Sequence, residues 1–119
     1  MECEVEYTDE FEGWWLGLTS AAQDSLLFAV RQLEEHGPRL QHPRSSRIES
    51  SRHANMRELR AQYAGHPLRV FYAFDPRRCV VLLTGVDKTG DDRFYERMVP
   101  LADRLYDEHI ETLRNEGLI

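Results

Sequence analysis

The sequence predicts an α+β domain: an N-terminal helical hairpin and a C-terminal helix around an antiparallel sheet of about four strands, in the order β-α-α-β-β-β-α. Three observations carry this. Apolar residues recur at three- and four-residue steps over residues 19–36 and again near the C-terminus. Period-two alternation runs through residues 3–7, 56–63 and 68–74. The links between the later strands, "AGHP" and "DPRR", are short enough to require antiparallel neighbours.

Each element has its own signal. In "ECEVEY", Cys3, Val5 and Tyr7 alternate with Glu2, Glu4 and Glu6, the pattern of a half-buried strand. Thr8 or Asp9 is placed to N-cap a short helix with Phe11, Trp14 and Trp15 on its apolar side. Thr19 or Ser20 caps a second helix, whose Ala22, Leu26, Ala29, Val30 and Leu33 form one stripe. Gly37 and Pro38 stop it. Residues 37–55 are rich in Pro, Ser and Arg and read as a loop of about nineteen residues, a length often tied to function. "MRELRAQY" and "LRVFYAFD" alternate, and "CVVLLTGV", apolar on both faces, is a central strand. The tail predicts a short helix near 91–98 and a longer one with Pro100 near its first turn. Leu101, Leu105, Ile110 and Leu113 are expected to face the core.

The 119 residues fit one domain, 1–119, able to bury a core without metals or disulfides. Two cysteines, Cys3 and Cys79, make no framework and are expected to be reduced and buried. No apolar run is long enough to span a bilayer, and the acidic N-terminus lacks the pattern of a signal peptide, so a cytoplasmic location is the expectation. The formal charge of −6 conceals a split: residues 1–38 carry −8, residues 39–78 carry +6 and residues 79–119 carry −4. A basic centre of this kind attracts a polyanion even in an acidic chain.

No Gly-rich phosphate loop, metalloprotease motif or nucleophile elbow is present, and the five histidines are scattered. No metal or cofactor is expected. The distinctive set is basic with one phenol: Arg60 on the polar face of its strand, Arg69 among Phe71 and Ala73, Lys88 after the apolar strand, and Tyr95 in the next helical segment. Arginine forks and a lysine suit a phosphate, and cleavage of an RNA phosphodiester needs cations on the phosphorane and groups that move two protons. The other reading is structural: Arg60 pairs with Glu58 or Asp75, Arg69 pairs with a helix carboxylate, and Lys88 is a solvated turn residue.

The ordered set "ELR", "LRVFYAFDP", an apolar strand, "DKT", then "FY", "PLAD" and "YDEH" resembles the RelE/HigB-like toxins of bacterial type II toxin–antitoxin systems, in their phage-derived branch. The resemblance spans roughly residues 3–115 and implies a RelE-like fold. It also implies a metal-independent endoribonuclease that cleaves mRNA on the ribosome and thereby inhibits translation. The implied partners are mRNA, the ribosome and a helix-turn-helix, HigA-like antitoxin, with operator DNA reached only through that antitoxin. By position, Arg69 matches the strand arginine that stabilises the transition state, Lys88 the basic residue after the last strand, and Tyr95 the C-terminal aromatic. Arg60 and Arg57 match basic RNA-binding positions of the preceding strand, and His53 on the long loop is a candidate for proton transfer. Two alternatives stand beside this: a ParE-like non-enzymatic gyrase inhibitor using the helical surface "TDEFEGWWLGL", and an inactive relative that binds its partner and regulates its own operon. The chain's acidity departs from the strongly basic ribosome-entering relatives.

Overall fold

The computed structural model describes residues 4–119, so Cys3 lies outside the described residues. The chain runs β1 (Val5–Tyr7), α1 (Asp9–Leu16), α2 (Ser20–His36), a 3₁₀ turn (Gly37–Arg39), β2 (Ser45–Arg47), β3 (Arg57–Tyr63), β4 (His66–Phe74), β5 (Val80–Asp87) and α3 (Phe94–Asn115). The strands form one sheet in the order β1-β5-β4-β3-β2. The α+β class and the helical hairpin match expectation. The sheet has five strands and is mixed, because β1 pairs with β5 in parallel, Val5 opposite Val80. Short turns dictate antiparallel pairing only for β3, β4 and β5; the whole hairpin intervenes between β1 and its partner. The extra strand, β2, lies inside the segment expected to be loop. Its "SSR" carries no apolar alternation, yet it pairs antiparallel with β3, Ser45 opposite Leu59.

Both helix caps resolve to threonine: Thr8 Oγ1 accepts from Phe11 N and Thr19 Oγ1 from Ala22 N. The β3–β4 turn places Ala64 and Gly65 at φ 47° and 81°, the left-handed pair of a tight two-residue hairpin. In the β4–β5 turn the carboxylate of Asp75 accepts from the backbone N of Arg77 and Cys79. It also accepts from the Arg77 side chain and from His109 Nε2 at 3.0 Å. His109, half-buried on α3, thus ties that turn to the last helix.

The C-terminal region is a single helix, not two, and Pro100 sits inside it. Proline there removes one ladder hydrogen bond. The stripe Phe94, Met98, Val99, Ala102, Leu105 and Tyr106 is buried on both sides of it and holds the helix to the sheet. Leu105 and Leu113 are buried, whereas Leu101 and Ile110 are only half-buried.

The sheet separates two cores. One face packs Leu59, Ala61, Val70, Tyr72 and Leu82 against Leu26, Ala29 and Leu33 of α2. The other packs Phe71, Ala73, Val81 and Leu83 against α3. Between β4 and β5 the register passes from Phe71 opposite Thr84 to Tyr72 opposite Leu82, so Leu83 is an extra residue in β5. This bulge resets the alternation. Val86 thereby joins the α3 face, and Gly85 meets the ring of Trp14 on α1.

Candidate active site

Arg60 on β3 and Arg69 on β4 are direct register partners. With Glu58 and Phe71, one pleat further along, they share the α3 face. Period two sends these polar residues to one side of strands whose other side is the α2 core. They lie at the open end of that face, next to the N-terminus of α3.

Glu58 organises the group. Its side chain is 2% exposed, and its Oε1 lies 3.1 Å from Nε of Arg69 and 3.5 Å from Nε of Arg60. Tyr95, the second residue of α3, donates its hydroxyl to Glu58 Oε2. One carboxylate thus faces two guanidinium groups and a phenol. These ion-pair contacts are not aligned as hydrogen bonds, and Glu58 Oε1, Arg60 Nε and Arg69 Nε are buried without a hydrogen-bond partner. They are held by charge, each nitrogen within ion-pair distance of the same oxygen. Burial lowers the pKa of Arg69, against the opposing pull of Glu58. Burial and the hydrogen bond to Glu58 push the Tyr95 phenol up to about 12, so at neutral pH it is a proton donor.

Lys88 follows β5 at the same end. Its backbone N donates to Pro67 O at 3.0 Å, and its ammonium stands 5.4 Å from the centroid of the Phe94 ring. Phe94 and Tyr95 have centroids 4.0 Å apart, so the lysine and the phenol flank one aromatic unit. A cleft of about 900 Å³ opens beside Arg60 and Arg69, lined also by Arg44, Gln62, Pro67 and Phe28.

Two of the sequence-derived candidates stand elsewhere. Arg57 lies on the opposite face of β3, where its Nε donates to Ser45 Oγ at 2.9 Å. Ser45 Oγ in turn shares a hydrogen bond of 2.5 Å with Tyr72 Oη. His53 is held against the middle of α3. Its Nε2 is 2.8 Å from Asp107 Oδ1, and its ring makes an edge contact with Tyr106 at 4.9 Å. Asp107 is twelve residues beyond Tyr95, about 18 Å along a helix. The surrounding loop is pinned by Asp103, which accepts from Ser51 Oγ and Arg52 N.

The pairing of Arg60 with Glu58 is the one that the structural reading offered. Two features escaped the sequence: the same Glu58, not a helix carboxylate, also pairs with Arg69, and Arg44 reaches the cleft from the segment before β2. The alternation of "MRELRAQY" places Glu58 and Arg60 on one face, which was the available signal for the first. Nothing local signals Arg44. Among the described residues, one further cluster, Glu4, Glu6 and Cys79, brings three potential metal ligands together. Glu6 there is already paired with Arg77 at 2.9 Å.

Comparisons with known proteins place the chain in a family and a fold. The profile of the family described as "Phage derived protein Gp49-like (DUF891)" matches residues 13–107. HigB3 of Mycobacterium tuberculosis, which bears the name of a toxin, is 38% identical over 96 residues, covering 80% of this chain and 82% of its own length. HigB2 of the same organism, also named as a toxin, is 33% identical over 104 residues; the match covers 86% of this chain but 52% of that protein. Among solved structures, a substituted form of the Escherichia coli toxin RelE in the free state has a TM-score of 0.59 over 95% of this chain and 99% of its own, at 11% identity. A chain of the archaeal RelE–RelB complex from Pyrococcus horikoshii gives 0.54 over 74% of this chain and 97% of its own, at 16% identity. At those identities the two structures establish the fold, and the profile and the HigB relatives establish kinship: this chain belongs to the phage-derived Gp49-like family, as a RelE/HigB-like member with a RelE-like fold.

Proposed function

We propose that this protein is the toxin of a type II toxin–antitoxin system, an endoribonuclease that cuts mRNA on the ribosome and so blocks translation. The observation that carries the reading is the Glu58–Arg60–Arg69–Tyr95 group beside an open cleft: two guanidinium forks that share one carboxylate keep a positive surplus for a phosphate. Arg69 and Arg60 hold the scissile phosphate and stabilise the charge that builds on it as the 2′-hydroxyl attacks, its proton passing to solvent water, and the bond to the 5′-oxygen breaks. Lys88 adds a point charge from the other side of Tyr95. Tyr95, protonated in the free protein, donates to the leaving oxygen. Glu58 positions the three. Cationic side chains supply the charge stabilisation that a metal ion supplies elsewhere, so no metal is assigned to the reaction.

The same reading treats residues 1–119 as one functional domain acting in the cytoplasm; among the described residues no helix is long and apolar enough to cross a membrane. It also gives the toxin an antitoxin partner of the helix-turn-helix, HigA-like kind, which carries any contact with operator DNA. The HigB names of the relatives and the RelE–RelB complex among the structural neighbours favour a partnered toxin. The test is expression with and without the neighbouring antitoxin gene, with mRNA 5′ ends mapped by primer extension. Codon-phased cuts that disappear in the Arg69→Ala variant are the expected result. Growth arrest with intact mRNA and an SOS response sinks the nuclease reading.

A further inference from the structure

We infer that Arg44 and Phe28 form a stacking platform that holds one base of a single-stranded RNA beside the phosphate bound by Arg60 and Arg69. This rests on the reading of the protein as an RNA-cutting enzyme and adds to it the place where the substrate is read.

The sheet edge creates the place. β2 covers β3 only as far as Leu59, which pairs with Ser45. Beyond that the chain turns away at Pro43 and Arg44, and the cleft of about 900 Å³ opens along Arg60, Ala61 and Gln62. Arg44 does not dangle into it. Its carbonyl accepts from Arg60 N at 2.8 Å, and its Nη1 donates to Arg60 O at 2.8 Å. The guanidinium carbon then lies 5.4 Å from the centroid of the Phe28 ring, a cation–π contact. A planar cation is thereby fixed over an aromatic ring and tied to the residue that faces Glu58. Phe28 is nevertheless 55% exposed. A large aromatic left half open in a cleft with a charged plane above it is the surface on which unstacked bases rest.

Charge decides the occupant and its orientation. The cleft wall offers Arg44, Arg60 and Arg69 against Asp24, and with Glu58 behind the two strand arginines three cations still face two acids. A polyanion fits this balance. Asp24 stands with Ser25 and Phe28 on α2, so a phosphate is disfavoured at that end and favoured at the Arg60–Arg69 end. A nucleotide laid across the cleft puts its phosphate on the paired arginines and its base on the platform. Gln62 and Asp24 then lie within the same wall as acceptors or donors for the base edge.

The probe is a 2′-O-methylated RNA hexamer, which cannot be cut, carrying 2-aminopurine at each position in turn. With the wild type, fluorescence is quenched by stacking at one position. Phe28→Ala and Arg44→Ala lose that quenching and bind about tenfold more weakly, the loss of one stacked base. Thermal melts and circular dichroism of both variants match the wild type, which separates lost stacking from lost folding. Unchanged quenching in both variants overturns the inference, and so does a wild type that fails to bind RNA but captures an acidic peptide in the same cleft. Cleavage mapping distinguishes this from failure of the functional reading. RNA that is stacked but never cut sinks the nuclease and leaves the platform. Cuts that depend on Arg69, with quenching and binding untouched by the two substitutions, sink the platform and leave the nuclease.

Discussion

Nε of Arg69 lies 3.1 Å from Oε1 of Glu58, inside the sheet face that carries α3, and Arg60 approaches the same oxygen from the neighbouring strand. A carboxylate that serves two arginines and a tyrosine is worth more to the fold than any one of its partners. Removing Glu58 strands two cations and a phenol, whereas removing Arg69 leaves Glu58 with Arg60 and Tyr95. Glu58→Ala is therefore expected to cost about 3–5 kcal/mol, the range for breaking a buried pair, and Arg69→Ala clearly less. Urea melts of both variants and of the double variant measure this. Equal losses would contradict a shared carboxylate.

Activity should show the opposite ranking of concern. Arg69→Ala is expected to lower the rate of mRNA cleavage by about 10²–10³-fold, the usual loss for one donor to a developing oxyanion. Arg69→Lys keeps the charge and loses the fork, so it recovers only part of that rate. His53→Ala should leave cleavage within about threefold of wild type, because its ring is committed to Asp107 and Tyr106 rather than to the arginine group. A His53→Ala variant as inactive as Arg69→Ala would place proton transfer on the loop instead.

Tyr95 gives a pH signature. Its phenol is pushed up to about 12 by burial and by the hydrogen bond to Glu58. A folded-state pKa above the unfolded value favours the protonated, folded form. That stability is fully present below pH about 10, the unfolded value, and is lost as pH rises through about 12. Wild type should therefore lose stability over this alkaline window, and Tyr95→Phe should lose less. Ultraviolet titration of phenolate, tyrosine by tyrosine replacement, should assign the last transition to position 95.

Asp75 makes the acid-side counterpart. Burial pushes its carboxyl up, but the hydrogen bonds from Arg77, His109 and the backbone of Arg77 and Cys79 outweigh that and hold it below the ordinary aspartate value. A lowered folded-state pKa stabilises the fold above the unfolded value of about 3.9, and the contribution fades as pH falls through the folded one. Asp75→Asn is expected to be less stable than wild type at pH 7, with the gap narrowing towards pH 3. A constant gap across that range would remove Asp75 from the acid transition.

How far the sequence reveals these groups depends on the length of the signal each leaves. The helical hairpin and β3 to β5 are legible because their apolar periods run for seven residues or more and their turns carry Gly, Pro and Asp. β2 is three polar residues held by a neighbour and leaves no local trace; β1 shows its alternation, but its parallel pairing depends on where the sheet closes and is not local. α3 reads as two helices because Pro100 breaks the local rule, while the buried stripe on either side of it is a tertiary fact. In the site, alternation places Arg60 and Arg69 on strand faces, and the register that makes them partners leaves Glu58, two residues along β3 on the same face, within reach of both. Arg57 looks equivalent in "MRELR", yet an odd number of residues from Arg60 puts it on the other face. Tyr95 joins the group through the start of α3, and Lys88 stands over Phe94 beside it, which no short window shows.

The bulge supplies the last prediction. Leu83 is the extra residue that turns Gly85 toward α1, where a Cβ would stand 2.2 Å from the nearest atom of the Trp14 ring. The half-buried indole has to shift to admit it. Gly85→Ala is expected to destabilise the protein by about 1–3 kcal/mol through overpacking. Val86, the next residue, is the register partner of Arg69, so a displaced β5 also disturbs the arginine group and Lys88 beyond it. Cleavage by Gly85→Ala should fall even at temperatures where the variant is fully folded. Pairing it with Trp14→Leu, which vacates the ring's space, should restore both stability and rate beyond the sum of the single effects. Strict additivity in that double-mutant cycle would separate the glycine from the tryptophan and leave the bulge without its link to the site.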